Sequence, residues 1–453
     1  MHLLDGFFRS PGVEPLFSDT AAVQSILEFE AALARAQARA GILSEADAKT
    51  IGSVCRAELF DLHNLAQAMP CAGNVAIPLL KQLNAAVARQ SPGAASHVHY
   101  GATSQDALDT GLVLQLRRAT KAVQSDVDSL IIALDHLTST HRKTLMPGRT
   151  WLQHALPITF GFVTAGWLDA CLRHHERLDR LLRETLALQF GGAVGTLAAL
   201  RDRGVQIAAL LAEELSLPLP PIPWHSQRER IAETACAYGM LAGTLAKIAR
   251  DLSLQMQTEV GELTEPAAAG RGGSSTMPHK QNPVACAAVL ASASRVPPLV
   301  GTILSSVSGE YQRSLGPWQS EWETLPEIVR LTAGASHQLA ALFPRLTVNA
   351  EKMRTNLELT HGLIYAEAVT LALSEKLNRA SAHKLVEAAC RRAQSQQCNL
   401  REILAADSEV SSILTPQSLA QLFEPANYLG SADTIINNVL AAADSLVHSS
   451  AKG

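Results

Sequence analysis

From Ser104 to about Arg142 the chain has no proline and a single glycine, Gly111. Leu112, Leu116, Ala119, Val123, Val127, Leu130, Leu134 and Leu137 recur there every three or four positions. That spacing is the apolar seam of one long packed helix. Roughly 38 residues at about 1.5 Å each give it a length close to 60 Å. Four more long helices are expected. One follows Pro157 and runs to about Leu188. The next spans about Arg228 to Leu263, with Pro266 as its stop. Another starts at Pro283 and is kinked or broken at Pro297-Pro298, and the last covers about Glu321 to Phe343. Between 232 and 249 the chain is apolar on more than one helical face, which reads equally as an oligomer interface or as the core of a large protein.

The flanks have a different texture. A helix from about Asp19 to Ala40 can be capped by Ser18 or Asp19 and closed by Gly41. Ser44 with Asp47, and Asn74 ahead of Pro78, mark short helices after it. Beyond Pro344 the helices are short again, the last starting near Ser431 and Asp433. Only Val98 and Phe190 to Val194 suggest short β pieces. The pattern predicts an all-α protein of three helical domains. These are an N-terminal domain over 1–105, a central long-helix bundle over 106–345 and a small C-terminal domain over 346–453.

Composition narrows the partners. The chain has 453 residues, a formal net charge of −4 and only 4% aromatic residues. It is long enough for a large core, and its charge offers nothing to nucleic acid or to an acidic membrane surface. The seven cysteines are scattered, odd in number and without a C-x-x-C pair, which points to a reducing compartment and away from a zinc site. With no basic start before an apolar run, and no apolar stretch judged long enough to span a bilayer, the expectation is a soluble, cytoplasmic protein.

Chemistry concentrates in the loop over 269–283, between two helical segments. Gly270, Gly272 and Gly273 free its backbone, and Pro278 and Pro283 stiffen its second half. Such a loop can offer N–H groups to an anion and add Lys280 as a fixed positive charge. Thr103 and Ser104 stand where the first long helix begins, where unpaired N–H groups and the positive end of the helix dipole favour an anion.

The string Gly273-Ser274-Ser275-Thr276-Met277-Pro278-His279-Lys280-Gln281-Asn282-Pro283 resembles the signature of the fumarase/aspartase superfamily, G-S-S-x-M-P-x-K-x-N-P, at every specified position. Thr103-Ser104-x-Asp106-x-x-Asp109-Thr110 resembles that superfamily's first signature region. His99-Tyr100-Gly101 before it is similar to the adenylosuccinate-lyase branch. Gly148-Arg149-Thr150-Trp151-Leu152-Gln153-His154-Ala155-Leu156-Pro157 resembles the second region, G-[RY]-T-H-x-Q-x-A-x-P, except that Trp151 replaces the histidine of most members.

The resemblance implies Ser274 as the catalytic proton carrier, with Lys280 stabilising charge. It implies Asn282, Thr103, Ser104, His99, Gln153, Trp151 and Arg313 as substrate contacts. It also implies a homotetramer with a 20-helix core, active sites shared between subunits, a small polycarboxylate substrate, and neither metal nor organic cofactor. Trp318 and Trp322 stand where adenylosuccinate lyases carry a serine and an arginine for the nucleotide phosphate, so a nucleotide substrate is disfavoured. Together with Ala72-Gly73-Asn74, Trp151 and Pro223-Trp224-His225, they resemble the branch that closes a tricarboxylic diene to a lactone. A fumarate-releasing lyase, and a non-catalytic structural relative, remain as alternatives.

Overall fold

The computed structural model describes residues 3–266, 272–273, 276–277 and 279–450. It is built from helices: α1 (Asp19–Arg39), α2 (Ser104–Thr140), α3 (Phe160–Arg180), α4 (Glu229–Gln255), α5 (Val284–Ser306) and α6 (Pro317–Leu342) are the longest of those before residue 350. The apolar seam of α2 is inside from Leu116 onward, with Leu116, Ala119, Val123 and Leu134 at 0% exposure, while Leu112 at its start is half-buried. Ser18 caps α1 through a hydrogen bond from Ala21 N–H, and Ser44 caps the next helix through Asp47 N–H, as their sequence positions suggest.

Several boundaries differ from the pattern. α4 stops at Gln255, eight residues short of Leu263, and the chain turns through Gly261 into a two-residue strand, Leu263–Thr264, paired with Thr347–Val348. α5 continues through Pro297 and Pro298, both of which are exposed. α6 begins at Pro317, a first-turn position where a missing N–H costs nothing.

No strand forms at Val98 or at 190–194. The strands are instead β1 (Leu145–Thr150) and β2 (Gln153–Thr159), an antiparallel hairpin in which Pro147 pairs with Pro157 and the register slips at Gly148. Prolines and a glycine read locally as strand breakers, and here cross-strand pairing overrides that signal. The expectation that no apolar stretch could span a bilayer is also corrected. By length and composition α5 could, although Arg295 in its interior is paired with Glu327 at 2.7 Å.

The chain divides into two compact units. The first comprises 1–127, 174–246 and 288–338, and the second 128–173, 247–287 and 339–453. In the first, Thr120 and Tyr238 share a buried 2.9 Å hydrogen bond between α2 and α4. In the second, Trp167 lies edge-on between Phe160 and Phe343, and its indole N–H bonds Asp251 at 3.2 Å. The apolar run on α4 is covered within the chain, with Ala235, Leu245, Ile248 and Ala249 at 0% exposure. It belongs to the core of one chain and so provides no sign of an interface.

Candidate active site

The motif residues fall into both units. Thr103, Ser104, His99 and Arg313 lie in the first. Trp151, Gln153, Lys280 and Asn282 lie in the second. Ser274 lies outside the described residues.

In the first unit the start of α2 is held by one buried carboxylate. Asp106 is fully buried and accepts five donors: Thr103 N–H at 3.0 Å, Gln189 Nε2 at 3.0 Å, Gly191 N–H at 3.0 Å, Gly192 N–H at 2.9 Å and His225 Nε2 at 2.7 Å. A buried charge needs this many partners to replace its water. The result is a fixed platform that locks the Thr103 backbone to the Gly191-Gly192 turn.

Arg313 then bridges the same two elements. Its Nη2 donates to Thr103 Oγ1 at 2.9 Å and to Ala193 O at 3.2 Å. Asn74 donates to Ser104 Oγ at 3.5 Å, and its Oδ1 accepts Ile77 N–H at 3.2 Å in the first turn of the helix that follows. A guanidinium, two hydroxyls and a helix N-terminus therefore converge, a set suited to a carboxylate.

One turn along α2, Asp109 takes both Nη groups of Arg228 at 2.7 and 3.1 Å, and Arg228 Nε reaches Glu321 at 3.0 Å. Trp318 donates its indole N–H to Asp109 at 3.0 Å. Burial raises the Glu321 pKa, against the opposing pull of Arg228. Trp318 is thus a hydrogen-bond donor in a buried ion cluster, and Trp322 stacks edge-on against it at 5.1 Å.

In the second unit Trp151 and Leu152 form the two-residue tip of the β1–β2 hairpin. Both have positive φ, 54° and 62°, and they are 97% and 75% exposed. Below the tip, Arg149 clasps the fully buried Glu262 with two hydrogen bonds, 3.0 and 2.6 Å, and Asn356 adds a third at 2.8 Å. His154, paired in register with Arg149, has its pKa lowered, by burial first and then by Arg149. Gln153 is exposed beside the tip.

At the neck of the 269–283 loop, Asn282 donates its backbone N–H and its Nδ2 to Gly272 O, at 2.9 and 3.1 Å. Gly272 has φ 70°, and a Cβ there would meet Asn282 O at 2.9 Å, so the neck requires glycine. Lys280 is exposed, its N–H bonded to Met277 O at 3.0 Å. At the start of α5, Glu265 accepts Ala285 N–H through both carboxylate oxygens at 3.2 Å. Sequence reasoning missed the roles of Asp106, His225, Gln189, Arg228, Glu321 and Glu262. Asp106 and His225 fell inside matched motifs without a role, and the partner of each of the six lies too far along the chain for a local pattern to name it.

Comparison with known proteins gives the family. The family model described as Lyase matches residues 13–297, and the model described as Adenylosuccinate lyase C-terminus matches 362–439. The 3-carboxy-cis,cis-muconate cycloisomerase of Pseudomonas aeruginosa is 50% identical over 97% of this chain and 96% of its own length. That of Bradyrhizobium diazoefficiens is 49% identical over 97% of each. The crystal structure of 3-carboxy-cis,cis-muconate lactonizing enzyme from Pseudomonas putida superposes with a TM-score of 0.92 at 45% identity, covering 98% of this chain and 99% of that one. The chain belongs to the lyase family of the fumarase/aspartase superfamily, and within it to the group of the 3-carboxy-cis,cis-muconate cycloisomerases.

Proposed function

We propose that this chain closes 3-carboxy-cis,cis-muconate to 4-carboxymuconolactone. The observation that carries the reading is Trp151 at an exposed hairpin tip, where fumarate-releasing relatives place a histidine. An amine leaving group must acquire a proton as it departs. A lactone's ring oxygen, on opening, leaves as a carboxylate, stable without a proton at neutral pH. In the closing direction the nucleophile is an ionised carboxylate already tethered to the diene, so positioning replaces base catalysis.

Attack by that oxygen pushes electrons into an aci-carboxylate bearing two negative charges. Lys280 and the N–H groups of its loop stabilise it, and Ser274 delivers the proton to carbon. Thr103, Ser104, Arg313 and His99 hold one carboxylate end, while Asn282 and Gln153 add contacts and Trp151 presses the diene into its curled shape. The chain works as a cytoplasmic homotetramer whose sites are completed by neighbouring subunits. Two features support assembly: the bare Trp151 tip, and α5, whose apolar stretch is only 39% buried in the single chain.

Purified protein added to 3-carboxymuconate should abolish its diene absorbance, and Ser274→Ala should slow this by several orders of magnitude. Release of fumarate from adenylosuccinate or argininosuccinate above about 1 s⁻¹, the low end for ordinary enzymes, would sink the proposal in favour of a lyase.

A further inference from the structure

We infer that Glu30 is a positioning residue for the reaction proposed above: its carboxylate holds the His99 imidazole by Nδ1 and leaves Nε2 free to bond a substrate carboxylate. The inference rests on that reading only for the identity of the ligand.

Glu30 sits in the middle of α1 at 2% exposure, and its carboxylate accepts from His99 Nδ1 at 2.6 Å. A carboxylate so buried is costly unless paired. Seven residues on, on the same face of α1, fully buried Gln37 donates to Tyr100 O at 2.7 Å. Two polar side chains of one helix therefore grip two successive residues of one turn.

That turn is strained. His99 has φ 59° and Gly101 φ 77°, and a Cβ on Gly101 would stand 2.5 Å from Leu200 Cδ2. Strain of this kind persists where the surroundings over-determine the conformation. Four residues later the same segment delivers Thr103, with its bond from Arg313. With Nδ1 tied to Glu30, the ring orientation is set. Nε2 has no hydrogen-bond partner among the described residues.

The charged groups acting on the ring are Glu30 from α1 and Asp106 from α2. Burial opposes the charged form, but Glu30, through charge and hydrogen bond, and Asp106 outweigh it, so the His99 pKa is raised above its ordinary value. The sign follows: the cation is fully present at low pH and is lost as pH rises through this raised value. Without Glu30, burial dominates and the loss moves to lower pH.

The test uses the full-length assembled protein and Glu30→Gln, which keeps the shape of the pair and removes its charge. The pH midpoint of His99 is read by histidine C2-hydrogen exchange with mass spectrometry, which needs neither substrate nor turnover. Wild type should show a midpoint above about 6.5, the unperturbed histidine value, and Glu30→Gln a midpoint lower by more than about one unit. The alkaline limb of kcat/KM for 3-carboxymuconate should move down with it. KM should rise at least about tenfold with kcat changed less than about threefold, the pattern of a lost ground-state contact, and Glu30→Asp should recover part of the loss. A purely structural Glu30 would leave both pH profiles in place, and that result overturns the inference. A wild-type His99 midpoint at or below about 6.5 overturns it too, even if Glu30→Gln fails to fold. A wild type that does not turn over the substrate would instead overturn the proposed function, while the exchange midpoint still decides the Glu30–His99 pairing.

Discussion

Arg149 is the residue whose loss should be felt most in the second unit. Its guanidinium is the charge partner of Glu262, whose carboxylate has no exposed surface and, among the described residues, otherwise bonds only Asn356 Nδ2. Arg149→Met would strand that carboxylate, and breaking a buried pair from one side typically costs about 3–5 kcal/mol. Denaturant unfolding should show that loss, and the double change with Glu262→Gln should recover part of it. Were Arg149→Met nearly neutral, the pair would not be what holds the hairpin base. Asp106 is a different case, since its five donors are shared among the 189–192 segment, His225 and the Thr103 backbone. Its value to the site is geometric: it sets where Thr103 and the Gly191-Gly192 turn stand with respect to each other.

The hairpin shows what an element stores for use. A two-residue turn with both φ values positive suits Asn-Gly, yet this one is Trp151-Leu152. Each non-glycine residue in that region costs roughly 1–2 kcal/mol. Leu152→Gly should therefore stabilise the protein by about 1 kcal/mol and keep turnover, because it preserves the turn that presents Trp151. Trp151→Phe should retain substantial turnover and Trp151→Ala should lose far more. Equal activity in the phenylalanine and alanine variants would remove the indole from the mechanism. Thermal scans alongside steady-state kinetics on all three variants make the comparison.

At the scale of the molecule, the motif residues divide between two compact units of one chain. If the sites are completed by neighbouring subunits, Thr103→Ala and Ser274→Ala are separately inactive yet partly restore turnover when mixed, unfolded and reassembled. Light scattering should give about four times the 48.3 kDa chain mass. A fully active monomer, or no recovery in the mixed tetramer, would show each chain to be self-sufficient.

The sequence by itself determined the helices and the loop, because both are written in near neighbours. The three-to-four spacing of Leu112 to Leu137 placed a helix over 104–142, and the structure has it over 104–140. The superfamily match of the 273–283 string needed no fold to be read, and its family is now shown by relatives along nearly the whole chain. Capping by Ser18 and Ser44 was equally local. Only the tertiary structure decided the β1–β2 hairpin, where pairing across the turn overrode proline and glycine signals, and the fate of the apolar run on α4, which the chain covers itself. It alone joined Asp106 to His225, Arg228 to Asp109 and Glu321, and Glu30 to His99, partners 69 to 119 positions apart. The physical reason is range. Helix periodicity and capping act over a few residues, whereas a buried charge takes whichever partner the packed chain brings within about 3 Å, and no local pattern records that choice.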